Sequence, residues 1–293
     1  STNFTKVLFS GNPVYGENIS YQICTTNNGT VQLNPPLTVV DNLPTGTTFI
    51  PGLSTVNNAP LLNYTLTGQQ LSYDITTSPL NPGESICSII TVNIQNSAQS
   101  PLFNTANLFN STSNVVGSAQ TGDNIRDPVL YINKSIITEY PVAGGIVSYR
   151  IEVGHEANST FKAYNLSIVD TPPTSVVLNE GPVVTFVPPD SLEPLVVNTS
   201  TTFLSVQFPD LPVGVTMYID YKMELPITAS GDIINTATLT YNRPNDPTII
   251  TRTDVEIFRL DNHSMEITKK VNNKTFKIGD IVEWQLEYTN NGN

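Results

Sequence analysis

The chain has 293 residues, 39% of them hydrophobic, which is enough to fill the cores of about two ordinary domains. Charged residues are only 13%, about half the usual share, so Asn, Ser and Thr must supply the polar surface. A formal charge of −12 argues against nucleic-acid binding, which needs clustered Lys and Arg, and no basic amphipathic segment suits a membrane surface.

The first strand alternates Phe4, Lys6, Leu8 on one face, and after the glycine turn at Gly16 the second alternates Ile19, Tyr21, Ile23. This unit returns twice: as Ile132, Lys134, Ile136 with Val147, Tyr149, Ile151, and as Ile267, Lys269, Val271 with Val282, Trp284, Leu286. Each copy therefore places a lysine among hydrophobes on a face expected to be buried. Asn28-Gly29 and Asn291-Gly292 read as hairpin turns. A third strand runs Leu37, Val39, Asp41, matched by Leu166, Ile168, Asp170. Short strands follow near Leu61 to Leu66 and Leu71 to Ile75. Two more close the unit: Ile86 to Ile94, then Leu102, Asn104, Ala106, Leu108. Their second-repeat counterparts are Met217 to Leu225, then Ile233, Asn235, Ala237, Leu239.

No helical period persists, and short strands with frequent turn signals indicate an all-β chain of tandem immunoglobulin-like antiparallel sandwiches. Repeats are expected at 1–126 and 127–260, with 261–293 beginning a third. A lone hairpin is marginal in water, so the third copy is expected to continue or be completed by another element. No apolar run spans a bilayer. Ser1 leads into a strand rather than a signal-peptide pattern, so an exported protein would here be processed or excerpted.

Glu266 to Gly292, with Thr-Lys-Lys-Val, Ile-Gly-Asp, Glu-Trp-Gln-Leu and Thr-Asn-Asn-Gly, resembles the opening of the immunoglobulin-like repeats of unknown function in bacterial and archaeal surface proteins. Val40-Asp41-Asn42-Leu43-Pro44-Thr45-Gly46, Asn104-Thr105-Ala106 and Asn235-Thr236-Ala237 are similar to further signatures of that family, whereas Asp170-Thr171-Pro172-Pro173 lacks the glycine. The resemblance implies a stalk, filament or surface layer, with copies of the chain or adjacent repeats as partners.

Lys6, Asp41 and Asn104, and again Lys134, Asp170 and Asn235, are expected on inward faces. Unpaired charges in a core are costly, so these groups must meet. One reading is a buried salt bridge with a hydrogen-bonded amide. The other is a Lys–Asn isopeptide bond between the first and last strands, assisted by the aspartate, as in the Gram-positive pilins and adhesins that the arrangement resembles. Lys269 is the exception, because its aspartate and asparagine are expected beyond Asn293.

Cys24 and Cys87 both fall on outward phases, so a disulfide requires neighbouring strands of one sheet; free thiols are the alternative. N-x-Ser/Thr acceptors occur at Asn3, Asn18, Asn28, Asn63, Asn110, Asn133, Asn158, Asn165, Asn198, Asn262 and Asn273, which points to a glycosylated extracellular surface protein. His155 and His263 lack metal-ligand spacing, Leu43 to Gly46 reads as a turn, and Asp123, Asn124 and Asp127 suit a solvated linker better than calcium. Neither a metal nor a cofactor is expected, and no constellation suggests turnover of an external substrate. An adhesin or glycan-binding module is the main alternative function, and a spacer within a secreted enzyme is a third.

Overall fold

A computed structural model describes residues 1–173, 176–189, 192–200, 203–260, 265–271 and 275–291. They form an all-β chain whose only helical segment is a short 3-10 turn at Pro51–Leu53. No helix among the described residues is long and apolar enough to cross a membrane. The chain divides into two compact units: Ser1–Val129 with Ala157–Tyr164 and Asn242–Ile249, and Leu130–Glu156 with Asn165–Tyr241 and Ile250–Asn293.

Repeat one contains β1 (Thr2–Ser10), β2 (Asn18–Asn27), β3 (Leu37–Asn42), β4 (Thr47–Phe49), β5 (Thr55–Val56), β6 (Ala59–Pro60), β7 (Thr65–Thr67), β8 (Gln70–Thr76), β9 (Ser85–Ile94), β10 (Leu102–Phe109) and β11 (Val115–Asp123). One sheet runs β1-β2-β9-β5-β6, with β4 also on β9, and the other runs β11-β10-β3-β8-β7. Their inner faces share one core, in which Ile19, Tyr21, Ile90 and Val92 of the first sheet pack with Leu37, Val39, Leu71 and Leu108 of the second. The β2 burial pattern alternates strictly, as a half-buried antiparallel strand requires.

Repeat two contains β12 (Leu130–Ile136), β13 (Ile146–His155), β14 (Ala163–Thr171), β15 (Val177–Val187), β16 (Val196–Ser200), β17 (Phe203–Leu211), β18 (Thr216–Glu224), β19 (Gly231–Asn242) and β20 (Ile249–Leu260). Its sheets run β12-β13-β18-β15 and β16-β17-β14-β19-β20. The strand order reproduces repeat one: β12, β13 and β18 stand where β1, β2 and β9 do, and β20, β19, β14, β17 and β16 where β11, β10, β3, β8 and β7 do. The repetition read from the lysine strands is thus a repetition of topology.

A third pair, β21 (Met265–Val271) and β22 (Trp284–Asn290), is antiparallel. Its register matches the two earlier copies: Lys6 lies opposite Ile23, Lys134 opposite Ile151 and Lys269 opposite Leu286. Trp284, expected inward, is 56% exposed, because no described strand covers that face.

Three expectations need correction. The asparagine strands β10 and β19 are not last in their repeats, since the edge strands β11 and β20 follow them. The stretch Leu61 to Leu66 is not one strand; only Thr65–Thr67 pairs, with β8. Asn28-Gly29 makes no hairpin, because β2 and β3 belong to different sheets. Buried Asn27 shapes that connection instead: its Oδ1 accepts from the Gly29 amide, and its Nδ2 donates to the carbonyls of Val31 and Leu80. Gly292 and His263 lie outside the described residues. Leu43 to Gly46 does lead into a turn, closed by the Thr47 amide on the Pro44 carbonyl, with Gly46 at a φ of 78°. A Cβ there would meet the Ala98 backbone at 2.4 Å, so both conformation and space require glycine.

Candidate functional site: two buried lysine, aspartate and asparagine clusters

Lys6 projects from edge strand β1 into the core, where it forms a hydrogen-bonded ion pair with Asp41 of β3 in the facing sheet. Both side chains are fully buried. Asp41 pairs across strands with Ala106, which puts Asn104, two residues along β10, on the same face and diagonal to the carboxylate. Asn104 is buried and neither amide atom has a hydrogen-bond partner; Asp41 Oδ2 also lacks one.

The second cluster repeats the first. Lys134 of β12 pairs with Asp170 Oδ2 of β14 at 2.9 Å, and Asn235 of β19 places Nδ2 3.4 Å from the same oxygen. Asn235 Nδ2 also lies 3.8 Å from the Met223 sulfur, while its Oδ1 and Asp170 Oδ1 have no partner. The structure therefore brings together all six residues that the sequence placed on inward faces.

Among the described residues, every buried side-chain nitrogen or oxygen without a partner belongs to one of these clusters: Tyr21 Oη, Asp41, Asn104, Tyr149 Oη, Asp170 and Asn235. Orphaned buried polar groups are rare and costly, so their confinement to two equivalent places sets these clusters apart from the rest of the described core. A well-satisfied salt bridge with a bonded amide, the simpler of the two sequence readings, would not leave Asn104 without partners.

Burial sets the protonation chemistry. Loss of solvent pushes the Lys6 ammonium down to about 8, against the opposing pull of Asp41. Burial likewise raises the Asp41 carboxyl, which Lys6 partly offsets. Lys134 is also lowered by burial, opposed by Asp170 and by Glu256 and Asp254. A lysine near 8 is about one-tenth free amine at neutral pH. An amine, an amide carbon and a carboxyl in one dry pocket are the reactants and proton shuttle for amide exchange.

The sequence reading missed Tyr221, which lies within the Met217 to Leu225 strand. Lys134 Nζ donates to the Tyr221 hydroxyl, and that hydroxyl donates to Asp170 Oδ2. Burial, then the Asp170 charge, raises this phenol far above its usual range. The missed signal is in the register: Tyr221 faces Tyr149 across β13 and β18, where repeat one sets Ile90 against Tyr21. Aromatic faces also line both ammonium groups, Tyr21 at 5.3 Å from Lys6, and Tyr149 at 4.6 Å and Tyr221 at 5.0 Å from Lys134. Lys269 already lies 4.2 Å from the Trp284 ring centre.

Cys24 and Cys87 stand directly opposite each other on β2 and β9 and form a disulfide within one sheet, with Cα atoms 4.1 Å apart. Of the glycan acceptors, Asn3, Asn18, Asn28, Asn63, Asn133, Asn158, Asn165 and Asn198 are exposed. Asn110 is half-buried, its Oδ1 accepting from the amides of Thr112 and Asn114 and from the Thr112 hydroxyl. Asn262 and Asn273 lie outside the described residues. Elsewhere, His155 Nε2 is 3.0 Å from the Leu211 carbonyl, Asp127 is paired with Arg243, and Asp123 accepts from Thr121.

No family model matches this chain, and no curated protein matches its sequence. Solved structures similar to it include the major pilin subunit of Bacillus cereus, at 10% identity and TM-score 0.42, covering 99% of this chain and 85% of that one. Others are the full-length major pilin SpaD of Corynebacterium diphtheriae, at 10% identity, TM-score 0.38 and coverages of 81% and 66%, and the collagen adhesin of S. aureus, at 11% identity, TM-score 0.33 and coverages of 97% and 94%. At such low identity and TM-score these are distant likenesses of fold, and nothing about this chain's activity rests on them.

Proposed function

We propose that the chain is a structural segment of an extracellular filament, stalk or surface layer, whose repeats 1–126 and 127–260 are each closed by a Lys–Asn isopeptide bond. The observation that carries this reading is the recurrence, in two topologically equivalent places, of a buried asparagine on the face of a buried Lys–Asp pair, with both amide atoms of Asn104 and the Oδ1 of Asn235 lacking a partner. The reaction is balanced without any added reagent. The lysine ammonium passes a proton to the aspartate, and the Nζ lone pair forms a bond to the asparagine Cγ. The aspartic acid gives that proton to Nδ2 as the Cγ–Nδ2 bond breaks, the regenerated carboxylate takes the second proton from Nζ so that a neutral amide remains, and the nitrogen leaves as ammonia with the aspartic acid left protonated. The bond joins β1 to β10, or β12 to β19, and so ties opposite sheets of one sandwich together. Pulling the two sheets apart must then break a covalent bond, which suits a load-bearing role. Exposed N-x-Ser/Thr sites agree with a glycosylated exterior, and the described disulfide agrees with an oxidising one. Electron microscopy of native material tests the assembly: filaments or arrays are expected, and isolated compact monomers would overturn the reading.

One observation favours an adhesin or glycan-binding module as a second reading. A cleft of about 300 Å³ is lined by Pro44, Thr45, Ser97, Gln99, Pro101, Leu102 and the exposed ring of Phe103, a surface on which a sugar face could stack. Saturable binding on a glycan array, lost in Phe103→Ala, would establish it.

A further inference from the structure

We infer that Tyr221 is a positioning residue whose hydroxyl bridges Lys134 and Asp170 and holds them to each other, so that the Lys134–Asn235 bond closes more slowly than the Lys6–Asn104 bond. This rests on the isopeptide reading above and goes beyond it by making the two sites kinetically distinct.

The two clusters share three residues and differ in the fourth. In repeat one the position opposite Tyr21 is Ile90, which has no polar atom to offer. Among the described residues Asp41 is thus the sole side-chain hydrogen-bond partner of Lys6. In repeat two the same position is Tyr221, and its hydroxyl sits between the charged groups, accepting from Lys134 and donating to Asp170. The Asp170 oxygen that pairs with Lys134 is thus also occupied by the Tyr221 hydroxyl, which competes there with the proton that Lys134 must lose, whereas Asp41 Oδ1 accepts from Lys6 alone among the described residues. The phenol oxygen also takes one of the N–H bonds of Lys134, holding Nζ toward Tyr221 rather than toward Asn235. Finally, two aromatic faces lie within 5.0 Å of the Lys134 ammonium, whereas one lies at 5.3 Å from Lys6; each face favours the cation over the neutral amine. All three effects act in the same direction. In repeat one the buried hydroxyls of Tyr73 and Ser88 bond to each other at 2.6 Å, and neither bonds to Lys6.

The test is a time course on the full chain made by cell-free synthesis, with samples quenched in acid and each cross-linked peptide quantified by mass spectrometry. In the wild type the Lys6–Asn104 peptide is expected to accumulate first. Tyr221→Phe keeps the ring and removes the hydroxyl; it should speed Lys134–Asn235 closure by about tenfold, the weight of one charge-assisted hydrogen bond, and leave Lys6–Asn104 closure unchanged. Tyr221→Ile, which copies repeat one, should also accelerate closure and guards against a folding defect peculiar to one variant. Both bonds forming at equal rates, or both variants slowing or not changing Lys134–Asn235 closure, would overturn this inference and leave the isopeptide reading intact. Absence of ammonia loss from either repeat in every chain would instead overturn the isopeptide reading, and this inference with it.

Discussion

Repeat one and repeat two bury the same lysine, aspartate and asparagine in the same strand order, yet opposite the tyrosine of the second strand repeat one places Ile90 and repeat two a second phenol, Tyr221. Repeat one adds a disulfide that has no equivalent in the cysteine-free second repeat. The comparison teaches that the three-residue set is the invariant part of the unit, while the means of stabilising it varies. Repeat one combines a disulfide within one sheet with a buried ion pair between sheets. Repeat two relies on a fuller hydrogen-bond network around its charges.

The sharpest way to break the comparison is to remove one charge. Lys6→Ala leaves Asp41 buried without its cation and eliminates the nucleophile, so repeat one should lose at least about 3–5 kcal/mol by denaturant unfolding while repeat two is unaffected. Lys134→Ala should cost less, because Tyr221 still donates to Asp170. Equal losses in the two repeats would mean that the phenol is energetically idle.

Next in size is the disulfide, which closes a loop between residues 63 apart in sequence. Cys24→Ser with Cys87→Ser should lower the stability of repeat one by about 4 kcal/mol on the chain-entropy estimate. Reductant should destabilise the wild type in the same repeat alone, as read by unfolding with and without it.

The acidity of Lys6 gives a third test. Its folded value, about 8, is below the ordinary 10.5, so between these values the unfolded chain binds more protons and stability rises with pH. A chain that cannot form the amide, Asn104→Ala, should therefore gain stability from pH 8 to pH 10.5, by up to about 3 kcal/mol. Where the proposed bond has closed, Lys6 is an amide nitrogen, so a wild type that carries it should lack this rise in repeat one. Asp41 acts in the opposite sense at low pH: its folded carboxyl is raised, so its contribution is fully present below the ordinary 3.8 and falls as pH rises through the folded value.

The smallest effect concerns the third lysine. Lys269 has its aromatic ring in place and is exposed, and among the described residues no aspartate is paired with it. It should react with an amine-directed reagent in the folded chain, where Lys6 and Lys134 do not. Protection of Lys269 would show that the face of β21 and β22 is covered in solution.

Much of this was legible in the sequence because period-two alternation is strong where a strand is buried on one side, as in β2 and β13. The six cluster residues followed from the same alternation, since a charge in phase with hydrophobes can only point inward. The edge strands were not legible. β11 offers only Val115, Val116 and Ala119 as apolar residues, and its Gly117 passes so close to Phe4 that a Cβ would lie 2.6 Å from that side chain. In β20 the pattern is misleading: Val255 and Ile257 are exposed, while Asp254 and Glu256 take the half-buried phase. Asp254 is used there, accepting from the backbone amide of Lys134. Tyr221 escaped notice because an inward tyrosine in a strand is ordinary core chemistry until its hydroxyl is seen between two charges.

The mass of the intact, reduced and deglycosylated chain tests the covalent claim most directly. Two closed repeats predict a deficit of two ammonia molecules from the sequence mass, with peptide mapping assigning one to Lys6 and Asn104 and the other to Lys134 and Asn235. A mass equal to that of the unmodified sequence would contradict the account and leave two buried ion pairs in its place.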